Sequence, residues 1–131
     1  MRVTRFSYEI RTHGPMKYYG IRELVEEAVR ESGYVNGLVH IHAVGATPFL
    51  LIASRRDVDA LNRLLIRLVP VTGWRHGNAY AHLRSSLMGT HLVVPFIDRK
   101  LWMNEDQEIY FVETRPVHNH RRIIHLIIHG E

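Results

Sequence analysis

Arg122-Ile123-Ile124-His125-Leu126-Ile127-Ile128-His129 reads as a strand without a wet face. Side chains alternate across a strand, so Ile124, Leu126 and Ile128 share one side, and Ile123, His125, Ile127 and His129 share the other. A strand at the surface of a monomer normally sets a polar face against an apolar one. Two apolar faces predict that the second is covered as well, by a layer of helix or by another subunit. The stretch from Glu108 to Thr114 has the same character, and Leu92 to Ile97 completes a run of three strands at the end of the chain.

Upstream of these strands the periodicity changes. Val58, Leu61, Leu64, Leu65 and Leu68 recur at helical spacing from Asp57 onward, and Val69-Pro70 ends the helix because a proline disfavours helical geometry in the residue before it. Asp57 and Asp59 open this helix, where negative charge suits the helix dipole. Ala79 to Met88 predicts a shorter helix, closed by Gly89 in the left-handed position. Gly37 to Val44 and Phe49 to Ile52 read as strands joined across Gly45 to Pro48. Ile21, Leu24, Val25, Ala28 and Val29 predict a first helix, stopped at Ser32-Gly33, and Val3 to Thr12 predicts a leading strand with Phe6, Tyr8 and Ile10 on one face. The order β-α-ββ-α-(α)-βββ argues for an α+β fold rather than a doubly wound parallel sheet.

The 131 residues suffice for one domain, 1–131, and 46% of them are hydrophobic, enough for a core without disulfides. Cysteine is absent, which excludes thiol catalysis and cysteine-ligated zinc. No apolar run approaches the roughly 20 residues of a membrane span, and the N-terminus does not read as a signal sequence, so the cytoplasm is the expected location and no membrane partner is expected. The net charge of +4 and pI of about 9.8 suit either a phosphorylated ligand or a surface that is simply basic. Lys17 and Lys100 are the only lysines and Gln107 the only glutamine. Scarce glutamine and absent cysteine fit a heat-adapted source, whereas scarce lysine does not.

Ten histidines carry the functional reading. His40 and His42 lie two apart on one strand face, His125 and His129 share another, and His76 and His82 flank Asn78. Neutral imidazoles ligate zinc well, so convergence of several on an ion or a phosphate is one reading. The other is that each is a local polar group with a backbone partner. No His-x-x-x-His helical pair is present, no glycine-rich phosphate loop joins a strand to a helix, and Ser85-Ser86 lacks the context of a nucleophile elbow.

Gly37-Leu38-Val39-His40-Ile41, Trp74-x-His76, Asn78-Ala79-x-Ala81-His82-Leu83-Arg84-x-Ser86-Leu87-x-Gly89, Val93-Val94-Pro95 and Gln107-Glu108-Ile109-Tyr110-Phe111-Val112-Glu113 together resemble the YjbQ-like family in order and spacing. The likeness runs from Gly37 to the C-terminus and is most specific at Asn78 to Arg84. It implies a β-sandwich of mostly antiparallel strands with two main helices and one short helix, assembled as a homotrimer about a threefold axis. It also implies a histidine-lined pocket, metal-bearing in some members, and a secondary thiamine-phosphate synthase activity. Departures from the family pattern are equally specific. Gly45 and Ser54 stand where the family carries a pocket histidine and an acidic partner, His91 where serine is usual, and His42 where an apolar residue is usual.

Three functions follow as expectations. As an enzyme, the chain would use His82 and Asn78 as catalytic residues and His76, Arg84 and Ser86 to bind a phosphorylated small molecule. A divalent ion such as zinc or Mg²⁺ would be held by His82, His40 and His91. Thiamine-phosphate synthesis needs oxygen ligands for the Mg²⁺ that neutralises a diphosphate, and no acidic cluster is evident, so the synthase reading is that of a side activity. Alternatively, the chain is a non-catalytic trimeric metal- or ligand-binding protein that has lost the family's His and Glu. A nucleic-acid partner is not expected, because Arg55-Arg56 and Arg121-Arg122 form no basic stripe interleaved with aromatics.

Overall fold

The computed structural model describes all residues, 1–131. Its elements follow in the order β1 Arg2–Thr12, β2 Lys17–Gly20, α1 Arg22–Ser32, β3 Gly37–Ala43, β4 Phe49–Ser54, α2 Val58–Leu68, α3 Ala79–Met88, β5 His91–Ile97, β6 Lys100–Leu101, β7 Gln107–Glu113 and β8 His120–Gly130. Every strand pair is antiparallel. Five strands form one sheet in the order β1-β8-β3-β5-β6, and three form a second in the order β2-β7-β4. The fold is the α+β sandwich expected, with α1 and α2 as the main helices. Strands β2 and β6 are additions to the sequence reading; at four and two residues they are too short to establish a period.

The two sheets enclose the larger core. Val39, Ile41 and Ala43 of β3, Ile124, Leu126 and Ile128 of β8, and Ile109 and Phe111 of β7 meet there with Val25, Ala28 and Val29 of α1, all fully buried. A smaller core lies on the other side of the three-stranded sheet, where Phe49, Ala53, Tyr110 and Val112 pack against Leu65 of α2 and Tyr80 and Ala81 of α3. Both faces of β7 are therefore covered, one by the partner sheet and one by helices. This accounts for its unbroken apolar sequence.

Strand β8 resolves differently. Its Ile124 face is buried, whereas His125 is exposed and Ile127 is 37% exposed, with no helix laid over them. The outer face of the five-stranded sheet is bare, so the sequence expectation of cover on that side is not met within one chain. Gly89 also departs from the reading of a left-handed helix stop. Its φ of 93° is positive, but its ψ of 156° is extended. The chain thus leaves α3 directly toward β5, with the Gly89 carbonyl accepting from the Leu50 N–H at 3.0 Å and stitching the helix end to β4.

Candidate functional site

Helix α3 opens at Asn78, whose backbone carbonyl accepts from Ala81 at 3.0 Å and His82 at 3.4 Å, while its side chain makes no cap bond. His76 and His82 meet edge to face at 6.2 Å between ring centroids, both exposed. One turn further on, Ser85 is buried and donates to the Pro48 carbonyl at 2.7 Å, which ties the helix to the β3–β4 connection. Between them lies a hollow of about 340 Å³, lined by His82, Ser85, Ser86, Gly89 and Thr90 on the helix side and by Gly45 and Ala46 on the loop side. No carboxylate lines it.

Among the residues expected to serve this site, His82 and Ser86 line the hollow, His76 touches the His82 ring, and Asn78 and Arg84 do not line it. Arg84 requires a correction. It is 1% exposed, with its guanidinium Nε and Nη2 both donating to the Val69 carbonyl at 3.0 and 2.7 Å and its plane 5.0 Å from the Tyr80 ring centroid. Burial lowers its pKa, with the aromatic hydroxyls of Tyr80 and Tyr18 opposing that shift. This guanidinium holds the end of α2 against α3 and is not presented to an anion at the surface. Burial likewise raises the pKa of its neighbour Tyr18 to about 12, against the opposing pull of Arg84.

The expected metal set also needs correcting. His40 and His91 stack at 5.5 Å, but on the bare face of the five-stranded sheet, where His40 also meets His129 at 5.1 Å. His82 is on α3 and pairs with His76 instead. No group of three or more His, Asp or Glu side chains is close enough to hold one ion, so the residues present do not fit a divalent metal at this site. Ser54, where the resemblance implied an acidic partner, lies at the far end of β4 and donates to Asp106 at 3.0 Å. Asp106 has a lowered pKa through that bond from Ser54 and through Arg56, with burial opposing.

Arg122 is the group that sequence reasoning passed over. It is 8% exposed, and its Nε and Nη2 grip the fully buried Glu113 carboxylate at 2.7 and 2.8 Å, while Nη2 also donates to Thr47 Oγ1 at 2.9 Å. Its remaining nitrogen, Nη1, makes no bond within the chain and lies 3.2 Å from where a Cβ on Gly45 would stand. A signal existed. Arg122 falls in phase with Ile124, Leu126 and Ile128, and a charge on a buried stripe requires a partner. Gly45 itself has φ of 128°, a backbone position that side-chain-bearing residues rarely adopt.

The family model for UPF0047 YjbQ-like proteins matches residues 6–131. The chain belongs to the YjbQ-like family. Relatives include UPF0047 proteins of Bacillus subtilis, 29% identical over 112 residues (80% of this chain and 85% of that one), and of Methanothermobacter thermautotrophicus, 27% identical over 119 residues (86% and 83%). The fold is similar to that of a protein of unknown function from Sulfolobus solfataricus, with a TM-score of 0.90 at 25% identity over 99% of both chains. It is also similar to a YjbQ/UPF0047 protein from Clostridium acetobutylicum, at 0.85 and 28% over 95% and 99%.

Two further concavities compete for attention. The larger, about 760 Å³, is lined by nearly equal numbers of basic and acidic side chains, of which Arg22 pairs with Glu26 and Arg55 with Glu108, each at 3.6 Å. It is a solvated charged surface. The second, about 690 Å³, is a shallow depression on the bare sheet, lined by Arg5, Ser7, His42, His91 and His125 among others. No helix in the chain is long and apolar enough to cross a membrane.

Proposed function

We propose that this YjbQ-like protein binds a phosphorylated small molecule in the hollow beside His82, and that thiamine-phosphate synthesis there is a side activity. The observation that carries this reading is a hollow furnished with an imidazole, hydroxyls and glycine backbone and free of carboxylates. An anion entering it meets donors and no like charge. The same lack of acidic groups argues against efficient synthase chemistry, since nothing in the hollow would hold the Mg²⁺ that a diphosphate leaving group normally needs. His82, exposed and with its ring free to present a nitrogen to the hollow, is the group placed to exchange a proton with a bound ligand; Asn78 sets the start of its helix. Thiamine-phosphate formation by wild type and His82→Ala tests the claim. A drop of roughly a hundredfold is expected if His82 acts as an acid or base. Equal rates would assign the activity to something other than this pocket.

A second reading concerns assembly and is favoured by the bare sheet. His40, His42, His91, His125 and His129 stand there beside Leu38, Val93 and Ile127, which are 41%, 44% and 37% exposed. Such a face suits contact between copies of this chain as a homotrimer without turnover. Any divalent ion held there would draw ligands from more than one copy. Light scattering coupled to size exclusion decides it: a monomer mass at neutral pH removes the trimer.

A further inference from the structure

The connection Val44 to Pro48 leaves the five-stranded sheet at β3 and enters the three-stranded sheet at β4, so it belongs to neither ladder. The Val44 N–H still reaches the Ile123 carbonyl at 3.0 Å, but the N–H groups of Gly45, Ala46 and Thr47 donate to nothing within the chain. Gly45 and Ala46 form the loop wall of the hollow, and Thr47 is 6% exposed. Gly45 and Ala46 are exposed, so their free amides are open to an incoming ligand as well as to water. Behind the same loop stands Arg122, more than nine-tenths buried, its fork fixed on Glu113 and Thr47 and its Nη1 unpaired beside Gly45.

We propose that the amides of Gly45, Ala46 and Thr47, together with Arg122 Nη1, form a phosphoryl-binding wall in the His82 hollow. The proposal rests on the reading of that hollow as the ligand site and names the part of the ligand the loop wall takes, a terminal phosphate. Successive main-chain N–H groups in a turn make a concave anion site, and a guanidinium edge supplies a directed, charge-assisted bond to a phosphate oxygen. The Ser86 hydroxyl and His82 complete the opposite wall. The Arg122–Glu113 pair is neutral as a whole, so recognition rests on directed donors more than on net charge. Gly45 determines the specificity. A Cβ there would sit 3.1 Å from Pro48 Cδ and 3.2 Å from Arg122 Nη1 and would fill the space through which the guanidinium faces the loop. The glycine that replaces the family's histidine exchanges an imidazole for an arginine edge.

The test is a titration of the ¹⁵N-labelled full chain with inorganic phosphate, read at the amides, followed by calorimetric titration of wild type, Arg122→Lys and His82→Ala. Saturable shifts are expected at Gly45, Ala46 and Thr47. Arg122→Lys, which keeps the charge against Glu113 but removes the fork, is expected to weaken binding roughly tenfold or more. The proposal is overturned if wild type binds no phosphate, or if the shifts fall instead on the His40, His42 and His125 strands. Should Arg122→Lys fail to fold, the wild-type amide titration decides alone. If His82→Ala weakens phosphate binding while the three amides stay still, the wall is wrong and the His82 hollow stands. If phosphate binds with neither His82 nor these amides responding, both fall.

Discussion

Glu113→Gln isolates the bond on which the loop side of the hollow depends. The carboxylate is fully buried and accepts four bonds: on Oε1 from Thr12 Oγ1 and Arg122 Nε, both at 2.7 Å, and on Oε2 from Arg122 Nη2 at 2.8 Å and the Arg115 N–H at 3.2 Å. Glutamine keeps the volume but turns one acceptor into a donor, so two of those donors face an N–H in whichever orientation the amide settles. Arg122 is also left as a buried cation without its counter-ion. Breaking a buried pair by removing one partner costs about 3–5 kcal/mol, and with an m-value of about 2 kcal/mol/M the urea midpoint should fall by roughly 1.5–2.5 M. Far-UV circular dichroism at fixed protein concentration and pH 7 reads it. The wild-type pH profile supplies a second check. Burial alone would raise the Glu113 pKa, but the bonds from Arg122, Thr12 and the Arg115 N–H, together with the Arg122 charge, outweigh it and hold the pKa below the usual range. For an acid with a depressed folded-state pKa, the stabilisation is complete above the unfolded value of about 4.3 and disappears as pH falls through the folded value. Wild type should therefore lose stability on acidification below about pH 4.5, and Glu113→Gln should show a flatter acid limb. A midpoint shift worth less than about 1 kcal/mol would refute the reasoning, since a buried bidentate pair cannot be that cheap to break.

Arg84→Met should lower stability by about 1–3 kcal/mol, because the Val69 carbonyl loses both its donors, while phosphate affinity stays at the wild-type value; a fall in affinity at unchanged stability would restore Arg84 to the ligand site. Gly45→Ala should cost about 1–3 kcal/mol in a denaturant melt, given its positive φ and the crowding by Pro48 and Arg122, and an unchanged melt would mean the loop relaxes freely. On the bare sheet, His40 has its pKa lowered first by burial and then by His129 and His91. A base with a depressed folded-state pKa stabilises above the unfolded value of about 6.5 and loses that contribution as pH falls below it, so the melting temperature should drop between pH 7.5 and 5.5, and less so in His40→Gln. Equal drops in both proteins would place the titrating group elsewhere.

Strand β3 was legible because its alternation is strict, and the structure puts Val39, Ile41 and Ala43 on the inner face and Leu38, His40 and His42 on the outer one. Helix α3 was legible to the residue, although Gly89 ends it in an extended conformation and not the left-handed one expected. The destination of each histidine was not. Period places His40 and His91 on strand faces, but only the β3–β5 register, with His42 opposite His91, brings them to one surface and away from His82. Register depends on which strands pair, and that is a property of the whole chain. Arg84 misled for a related reason. It reads as a cation for a phosphorylated ligand, yet two residues along a helix is a turn of about 200°, so His82 faces the hollow while Arg84 faces α2.

The location of the hollow follows from the topology. The larger core is sealed by β3 and β8, and the smaller by β4 and α3, so any segment that passes between them must give up one ladder before it joins the next. From Gly45 to Thr47 the chain does so within a few residues. Its amides cannot be spent on a sheet, and its route is fixed at one end by Val44 on Ile123 and at the other by Leu50 on Gly89. Arg122 then braces Thr47 from the β8 side, and Thr114, next to β7, donates to the Thr47 carbonyl at 2.7 Å. The result is a turn with free donors, opposite a helix that presents His82 and Ser86. A side chain at position 45 would crowd Pro48 and Arg122 Nη1. With glycine there, no side chain stands between the free amides of the turn and Arg122 Nη1, and the proposed phosphate site rests on that arrangement.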